Sequence, residues 1–198
     1  VFGAYGDGEA VVSFVDASAL VKEIERLRTE LAKCEARLVE LDRLAHRDPL
    51  VDLPNRRSFL ANLERLIARA KRYDRPAAVL FVDVDGLKAI NDRFGHDAGD
   101  KALVKVAGLI SSCVREADLV ARLAGDEFGV LLEQADELSA WRTALRVTET
   151  LDECQSFCVG GTCLPLSAAI GVAVIQADDT AESVLKRADR EMYRIKAL

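Results

Sequence analysis

The chain has 198 residues, half of them hydrophobic and 30% charged, with a formal net charge of −6 and a pI near 5.1. That length can bury a full core and carry an appendage. The acidic balance excludes a duplex nucleic-acid binder, which needs a basic footprint, and no apolar run approaches the ~18 residues of a membrane span.

The chain opens on valine and holds a single methionine, Met192, so it reads as a piece of a longer protein. Five cysteines, Cys34, Cys113, Cys154, Cys158 and Cys163, are odd in number and scattered, which does not read as a disulfide framework. The last three lie close together, but with no histidine nearby and no C-x-x-C pair they read as buried or incidental thiols.

In chain order, Ala10-Val11-Val12-Ser13-Phe14-Val15 predicts a strand, the last of an upstream domain, with a disordered start as the alternative. Asp16-Ala17-Ser18 supplies helix N-cap chemistry. Leu20, Ile24, Leu27, Leu31, Cys34, Leu38, Leu41 and Ala45 then alternate spacings of four and three, with charged residues around them. An apolar seam confined to a and d positions favours a parallel two-stranded coiled coil over a lone amphipathic helix. Expected boundaries are 1–18 for the upstream remnant, 19–46 for the coiled coil and 47–198 for the main domain.

His46-Arg47-Asp48-Pro49 breaks the helix. A second helix begins near Arg56 and ends at Tyr73-Asp74-Arg75-Pro76. Residues 77–84 form a nearly continuous apolar run, the mark of a strand covered on both faces, and this one finishes in Asp83 and Asp85. A short helix over Leu87–Phe94, a loop over Gly95–Asp100 and a helix over Lys101–Val114 are expected next. Leu119–Leu123 and Phe128–Leu132 flank Ala124-Gly125-Asp126-Glu127, which reads as a β-hairpin with an acidic tip. A helix over 136–153 with Leu138, Trp141, Leu145, Val147 and Leu151, a strand over Leu164–Ile175 and a helix over Ala181–Lys196 with Val184, Leu185, Ala188, Met192 and Tyr193 complete the order. Helices alternating with a partly antiparallel sheet predict an α+β fold of the ferredoxin-like kind, preceded by a long helix.

A buried strand ending in carboxylates needs a partner for them. If that strand lies beside the hairpin, Asp83 and Asp85 meet Asp126 and Glu127 at one sheet edge, the hard oxygen set that suits Mg²⁺ and substrate phosphates. Gly86 and Lys88 would add backbone N–H groups and a positive charge, and Ala124 and Gly125 would let a ligand approach the backbone. Solvated turn acids remain the alternative at this stage.

Six ordered blocks carry a resemblance: Asp48 to Arg57, Phe81 to Asp92, Phe94 to Asp100, Ala124 to Phe128, Ala169 to Ala173, and Ala188-Asp189 through Tyr193 and Lys196. Together they resemble the GGDEF domain of bacterial diguanylate cyclases over roughly residues 46–197, with a nucleotide-cyclase-like sheet. The resemblance implies that Asp83, Asp126 and the Val84 carbonyl hold Mg²⁺ or Mn²⁺ on the phosphates of GTP. It implies Asn91 and Asp100 on the guanine edge, Lys88 and Lys196 on the β- and γ-phosphates, and backbone N–H groups near Gly86 and Leu87. Glu127 would serve catalysis, as a metal ligand or in assisting a base. Two GTP would give cyclic di-GMP and two pyrophosphates in the cytoplasm. Because each domain holds one GTP, a homodimer through the coiled coil is implied, and Asp16-Ala17-Ser18 resembles the exit of a PAS-type sensor. Arg115 and Asp118 fit an RxxD product-inhibition site, with a second arginine from Arg146, or Arg142 as the alternative. Ala124 departs from the family's glycine and is tolerable if the backbone there does not need a positive φ. Leu123 and Leu87 replace aromatic residues. The competing readings are a degenerate domain that binds GTP or cyclic di-GMP without turnover, and a structural dimerisation module.

Overall fold

The computed structural model describes residues 13–154 and 157–197, which divide between Ala45 and His46 into two units. The first is α1 (Ser13–His46), a single helix of 34 residues, about 50 Å long. Its seam residues Leu20, Ile24, Leu27, Leu31, Leu38 and Leu41 are 42–66% exposed. Arg26 bridges Glu23 and Glu30 at 2.6 Å each, and Arg43 pairs with Glu40 at 2.9 Å. The expected strand over 10–15 is corrected where it is described, because Ser13–Val15 are already helical; residues 10–12 lie outside the described residues. Once a helix is nucleated, adding a residue at its end costs little, so weak strand propensity gives way to the long helical run behind it.

The second unit runs α2 (Arg56–Tyr73), β1 (Ala77–Val84), α3 (Leu87–Phe94), α4 (His96–Ser112), β2 (Leu119–Ala124), β3 (Glu127–Glu133), α5 (Glu137–Asp152), β4 (Cys158–Val159), β5 (Thr162–Cys163), β6 (Ala168–Val174) and α6 (Ala181–Lys196). Side-chain caps fix three helix starts: Asn55 accepts from Ser58 N at 3.0 Å, Asp136 from Ser139 N at 2.8 Å, and Thr180 from Ser183 N at 3.2 Å. The main sheet has the order β2-β3-β1-β6 with every neighbouring pair antiparallel. With βαββαβ connectivity this is the ferredoxin-like α+β arrangement.

β1 lies inside the sheet and is covered on both faces, as its unbroken apolar run predicts. Ala78, Leu80, Val82 and Val84 join one core with α3, α4 and α5. Ala77, Val79 and Phe81 join a second core, with Phe59, Leu63, Leu66 and Ile67 of α2 and Val184, Ala188 and Met192 of α6. Asp83 continues this odd-numbered series, so the period of two aims it at the α2 and α6 side.

Four local expectations change. α4 begins at His96 rather than Lys101, because Gly95, at φ +85, makes the break and Asp97 suits the positive end of the new helix. The strand expected over Leu164–Ile175 is confined to Ala168–Val174. Ahead of it, Gly160 and Gly161, at φ +56 and +79, turn a two-residue hairpin that sets Cys158 opposite Cys163, and the two form a disulfide. These are not incidental thiols, whereas Cys154 is buried as expected, and Cys113 is buried as well. On α5 the buried residues are Ala140, Ala144, Val147 and Leu151, while Leu138, Trp141 and Leu145 are exposed, and Tyr193 of α6 is exposed as well. Close packing onto the sheet takes the small Ala140 and Ala144 in the first half of α5 and leaves Leu138, Trp141 and Leu145 outward, while Val147 and Leu151 are buried further along.

Gly171 of β6 shows how close that packing is. A Cβ placed there would lie 1.9 Å from the Ala188 carbonyl oxygen and 2.4 Å from Met192 N. Both obstacles are backbone of α6, so no rotamer change relieves them. Gly171→Ala is expected to destabilise the domain by about 3 kcal/mol, read as a lower urea midpoint at unchanged m-value.

Candidate active site

β1 and β3 pair so that Asp83 stands opposite Glu127, and the backbone N–H of Val84 donates to the carbonyl of Asp126 at 3.0 Å. The expected convergence of strand end and hairpin tip is therefore present, with one refinement. The residue directly across from Asp83 is Glu127, while Asp126 occupies the turn. Gly125, at φ +33, makes that turn possible. Ala124 is not among the residues with positive φ, and it is exposed, so the extra methyl strains nothing.

Lys196, from the last turn of α6, donates from Nζ to Asp83 Oδ1 and stands 3.8 Å from Asp85 Oδ1. The hydrogen bond to Asp83 raises the Lys196 pKa above its ordinary value, with Asp85 and Asp126 adding to it. Asp83 is only 15% exposed. Asp85 is fixed by the segment before β6: its N–H donates to the Ser167 carbonyl at 2.9 Å, and Ser167 Oγ donates to Asp85 Oδ2 at 3.1 Å. Ser167 carried no sequence signal for this role.

Glu127 is held above the ordinary carboxylate range, first by burial and then by the charges of Asp83, Asp126 and Asp189, against a lowering by Arg56. Arg56, Glu127 and Asp189 line a cleft of about 810 Å³ with an apolar floor that includes Phe59, Phe81 and Leu123. Arg56 and Asp189 lie within the matching blocks, yet nothing in their spacing pointed to Glu127.

Gly86, at φ +69, caps α3 without a side-chain bond, which leaves the first amides of that helix, from Leu87 onward, free for an anion. Lys88 is exposed beside them. Asn91 on α3 and Asp100 on α4 belong to adjacent helices of a tight pair. Gly99 makes room between them: a Cβ on it would lie 2.0 Å from Asn91 Oδ1.

Arg115 and Asp118 share a turn before β2, where Arg115 N donates to Asp118 Oδ2 at 2.9 Å and Glu133 N donates to Asp118 Oδ1 at 3.0 Å. Arg115 itself is exposed. Arg146 binds the Cys113 carbonyl at the end of α4, at 3.0 and 2.6 Å.

Among the described residues, no three His, Cys, Asp or Glu side chains group as a ready-made metal cage. The donor set here is smaller: Asp83 and Asp85 around the Lys196 ammonium, with Glu127 opposite Asp83. That fits a divalent ion which keeps waters and shares substrate phosphates. The Asp83 oxygen already bonded to a cationic ammonium agrees with that use.

The sequence model described as diguanylate cyclase, GGDEF domain, matches residues 45–198. The chain is 38% identical over 187 residues to the bifunctional diguanylate cyclase/cyclic di-GMP phosphodiesterase MucR of Pseudomonas aeruginosa, covering 94% of this chain and 26% of MucR. It is 39% identical over 186 residues to the diguanylate cyclase TpbB of the same species, covering 90% of this chain and 42% of TpbB. It thus spans less than half the length of these curated relatives. In fold it is similar to the coiled coil and GGDEF domain of DgcB from Caulobacter crescentus solved with c-di-GMP, at a TM-score of 0.82 and 23% identity, covering 90% of this chain and 95% of that one.

Two outcomes follow from the geometry. A raised carboxyl pKa means the folded chain binds that proton more tightly than the unfolded chain does. The neutral form favours folding, and the advantage is lost as pH rises through the folded value. Glu127→Gln is therefore expected to raise the melting temperature of the metal-free protein by a few degrees at neutral pH, with the gain vanishing below the ordinary carboxylate value of about 4.3. Gly99→Ala is expected to displace the Asn91 amide and weaken binding of a guanine nucleotide about tenfold, measured by fluorescence titration, with little change in melting temperature, because only a side-chain tip must move.

Proposed function

The chain belongs to the diguanylate cyclase GGDEF family, and we propose that it condenses two GTP into cyclic di-GMP and two pyrophosphates. The observation that carries this reading is the apposition of Asp83 and Glu127, with the Asp126 carbonyl bonded to Val84, beside the open amides of α3. In each of two successive steps the ribose 3′-oxygen of one GTP attacks the α-phosphorus of the other. A P–O bond to pyrophosphate breaks and the hydroxyl proton leaves.

In this reading Asp83, Asp126 and the Val84 carbonyl hold Mg²⁺ or Mn²⁺, which when bound offsets phosphate charge and acidifies the attacking hydroxyl. Asn91 and Asp100 hold the guanine edge. Lys88 and the amides around Gly86 and Leu87 take the β- and γ-phosphates, and Lys196 joins them by turning from Asp83. Glu127, reluctant to ionise, assists at the metal or in removing the 3′-hydroxyl proton. Gly125 lets the nucleotide lie close to the hairpin backbone.

One GTP per domain calls for two domains facing each other, which assigns residues 19–46 to a homodimeric coiled coil and 47–198 to the catalytic domain. The exposed seam of α1 supports this. In a parallel pair in register, Glu23 would face Arg28 and Arg37 would face Asp42 across the seam, with Glu30 opposite Glu35 as the like-charged pair between them. Residues 1–18 then belong to an upstream sensor, and GTP as substrate goes with a cytoplasmic location. No helix among the described residues is long and apolar enough to cross a membrane. Arg115 and Asp118 would take cyclic di-GMP as a product-inhibition pair, supported by the exposure of Arg115. Arg146 would have to leave the Cys113 carbonyl to join them.

The alternative of a GTP- or cyclic di-GMP-binding domain without turnover rests on Ala124, which is exposed and not among the residues with positive φ. Purified protein incubated with GTP and Mg²⁺ is expected to form cyclic di-GMP, followed by chromatography. Asp83→Ala and Asp126→Ala are each expected to lose product by about 100-fold or more, and chelation of the metal should abolish it. Absence of product from the unaltered chain at high concentration overturns turnover, and thermal stabilisation by GTP would then favour the binding-only domain.

A further inference from the structure

We propose that Arg122 is a positioning residue that ties the turn following α1 to the hairpin tip, so that the metal affinity of the site depends on it. Arg122 interrupts the apolar run of β2, and its side chain is 14% exposed, against 19% for its partner Asp48. A guanidinium so far from water needs its donors filled. Nε and one terminal nitrogen donate to the Gly125 carbonyl at 2.9 and 2.8 Å. The other terminal nitrogen donates to both carboxylate oxygens of Asp48, at 3.1 and 3.3 Å. The backbone N–H of Arg122 donates to the Pro54 carbonyl at 3.0 Å.

Each end of this tie has a defined job. Asp48 Oδ1 also accepts the N–H groups of Leu50 and Val51, at 3.0 and 3.1 Å, and Asp48 N donates to the Leu53 carbonyl at 2.8 Å. Asp48 thereby organises the whole turn over 48–54. That turn starts two residues after α1 ends at His46, whose carbonyl accepts from Asn55 N at 3.0 Å and Ser58 Oγ at 2.7 Å.

At the other end, the tip is where the hairpin is least regular. The β2–β3 register shifts between Arg122 and Ala124, and Gly125 has positive φ and no side chain to pack. Arg122 holds the Gly125 carbonyl with two bonds, and the Val84 N–H holds the Asp126 carbonyl with a third. These two carbonyls flank the peptide that aims Asp126, and the chain runs directly from it into Glu127. Releasing one of them lets the acidic tip swing relative to Asp83. Lysine cannot replace arginine here, because a single ammonium lacks the planar fork that spans a carboxylate and a carbonyl at once.

The test reads metal dependence rather than turnover: binding of a non-hydrolysable GTP analogue to the whole chain, followed by fluorescence, as Mg²⁺ is titrated. Arg122→Lys is expected to raise the half-saturating Mg²⁺ concentration about tenfold, within the range that positioning shells of metal sites contribute. Analogue affinity at saturating Mg²⁺ should stay within about twofold, because the guanine contacts lie elsewhere. Asp48→Asn, which leaves the Gly125 bonds in place, should shift the midpoint in the same direction by less. The double variant should be no worse than Arg122→Lys alone, since both act through one tie. An unshifted midpoint in either folded variant, or additive shifts, overturns the proposal; if Arg122→Lys does not fold, Asp48→Asn alone decides. The proposal rests on the nucleotide-site reading, and the two fail differently. An unaltered chain that binds no analogue at any Mg²⁺ concentration fails that reading, whereas normal binding with unshifted variants fails this one.

Discussion

Antiparallel pairing sets Asp83 of β1 opposite Glu127 of β3, so two carboxylates share one face at the end of a strand covered on both sides. Like charges so placed repel, and partial burial makes the repulsion harder to screen. Burial first, and then the charge of Asp83, raises the pKa of Glu127, and the bond from Lys196 to Asp83 is the local remedy. A fold selected for stability alone would put neutral residues at this edge. Concentrated negative charge that only a cation relieves is instead what a site for metal-bound phosphates requires.

Backbone proximity elsewhere serves the same end. Gly171 lets α6 lie directly on β6, which sets the level from which Lys196, in the last turn of α6, reaches the end of β1. Gly129 accepts the ring of Phe59, since a Cβ there would meet it at 2.6 Å, and so seats α2 against the hairpin strand. Gly99 keeps space for Asn91 between α3 and α4. None of these glycines contacts a reacting group. Each fixes a distance on which one such group depends.

Much of this was legible in the chain. The doubly apolar run of β1 and the acidic hairpin tip are local patterns, and the structure places them as read, whereas the N-cap read at Asp16-Ala17-Ser18 falls inside α1, which is already helical from Ser13. What escaped depends on contacts between segments distant in sequence. Arg122 looks like a polar interruption of a strand until Asp48 is seen 74 residues earlier in the chain. The small residues of α5 face the sheet because of the spacing available to that helix, which its own hydrophobic pattern does not encode. The Cys158–Cys163 pair needed the two-glycine turn to be recognised as a hairpin before the register could bring the sulfurs together. The first turn of α4 is hidden in the sequence because glycine and aspartate there resemble a loop, although aspartate is at home in a first helical turn.

The two units are each incomplete, and in matching ways. Helix α1 presents a row of leucines to water with no apolar surface of its own to cover them. A helix of that length gains most of its stability from packing an amphipathic face. The other unit carries acids, a helix start without a side-chain cap and a lysine, which in the proposed reading hold one triphosphate. The proposed reaction joins two nucleotides head to tail and needs a second site facing the first. A partner that covered the seam of α1 in parallel would carry its own copy of the site at the same distance along the chain. Burial of the seam and completion of the reaction would then be met by one association. The turn over 48–54 follows directly on the seam and is tied by Arg122 to the hairpin tip. The geometry of that association and the aim of Asp126 and Glu127 would therefore meet within a few residues of chain.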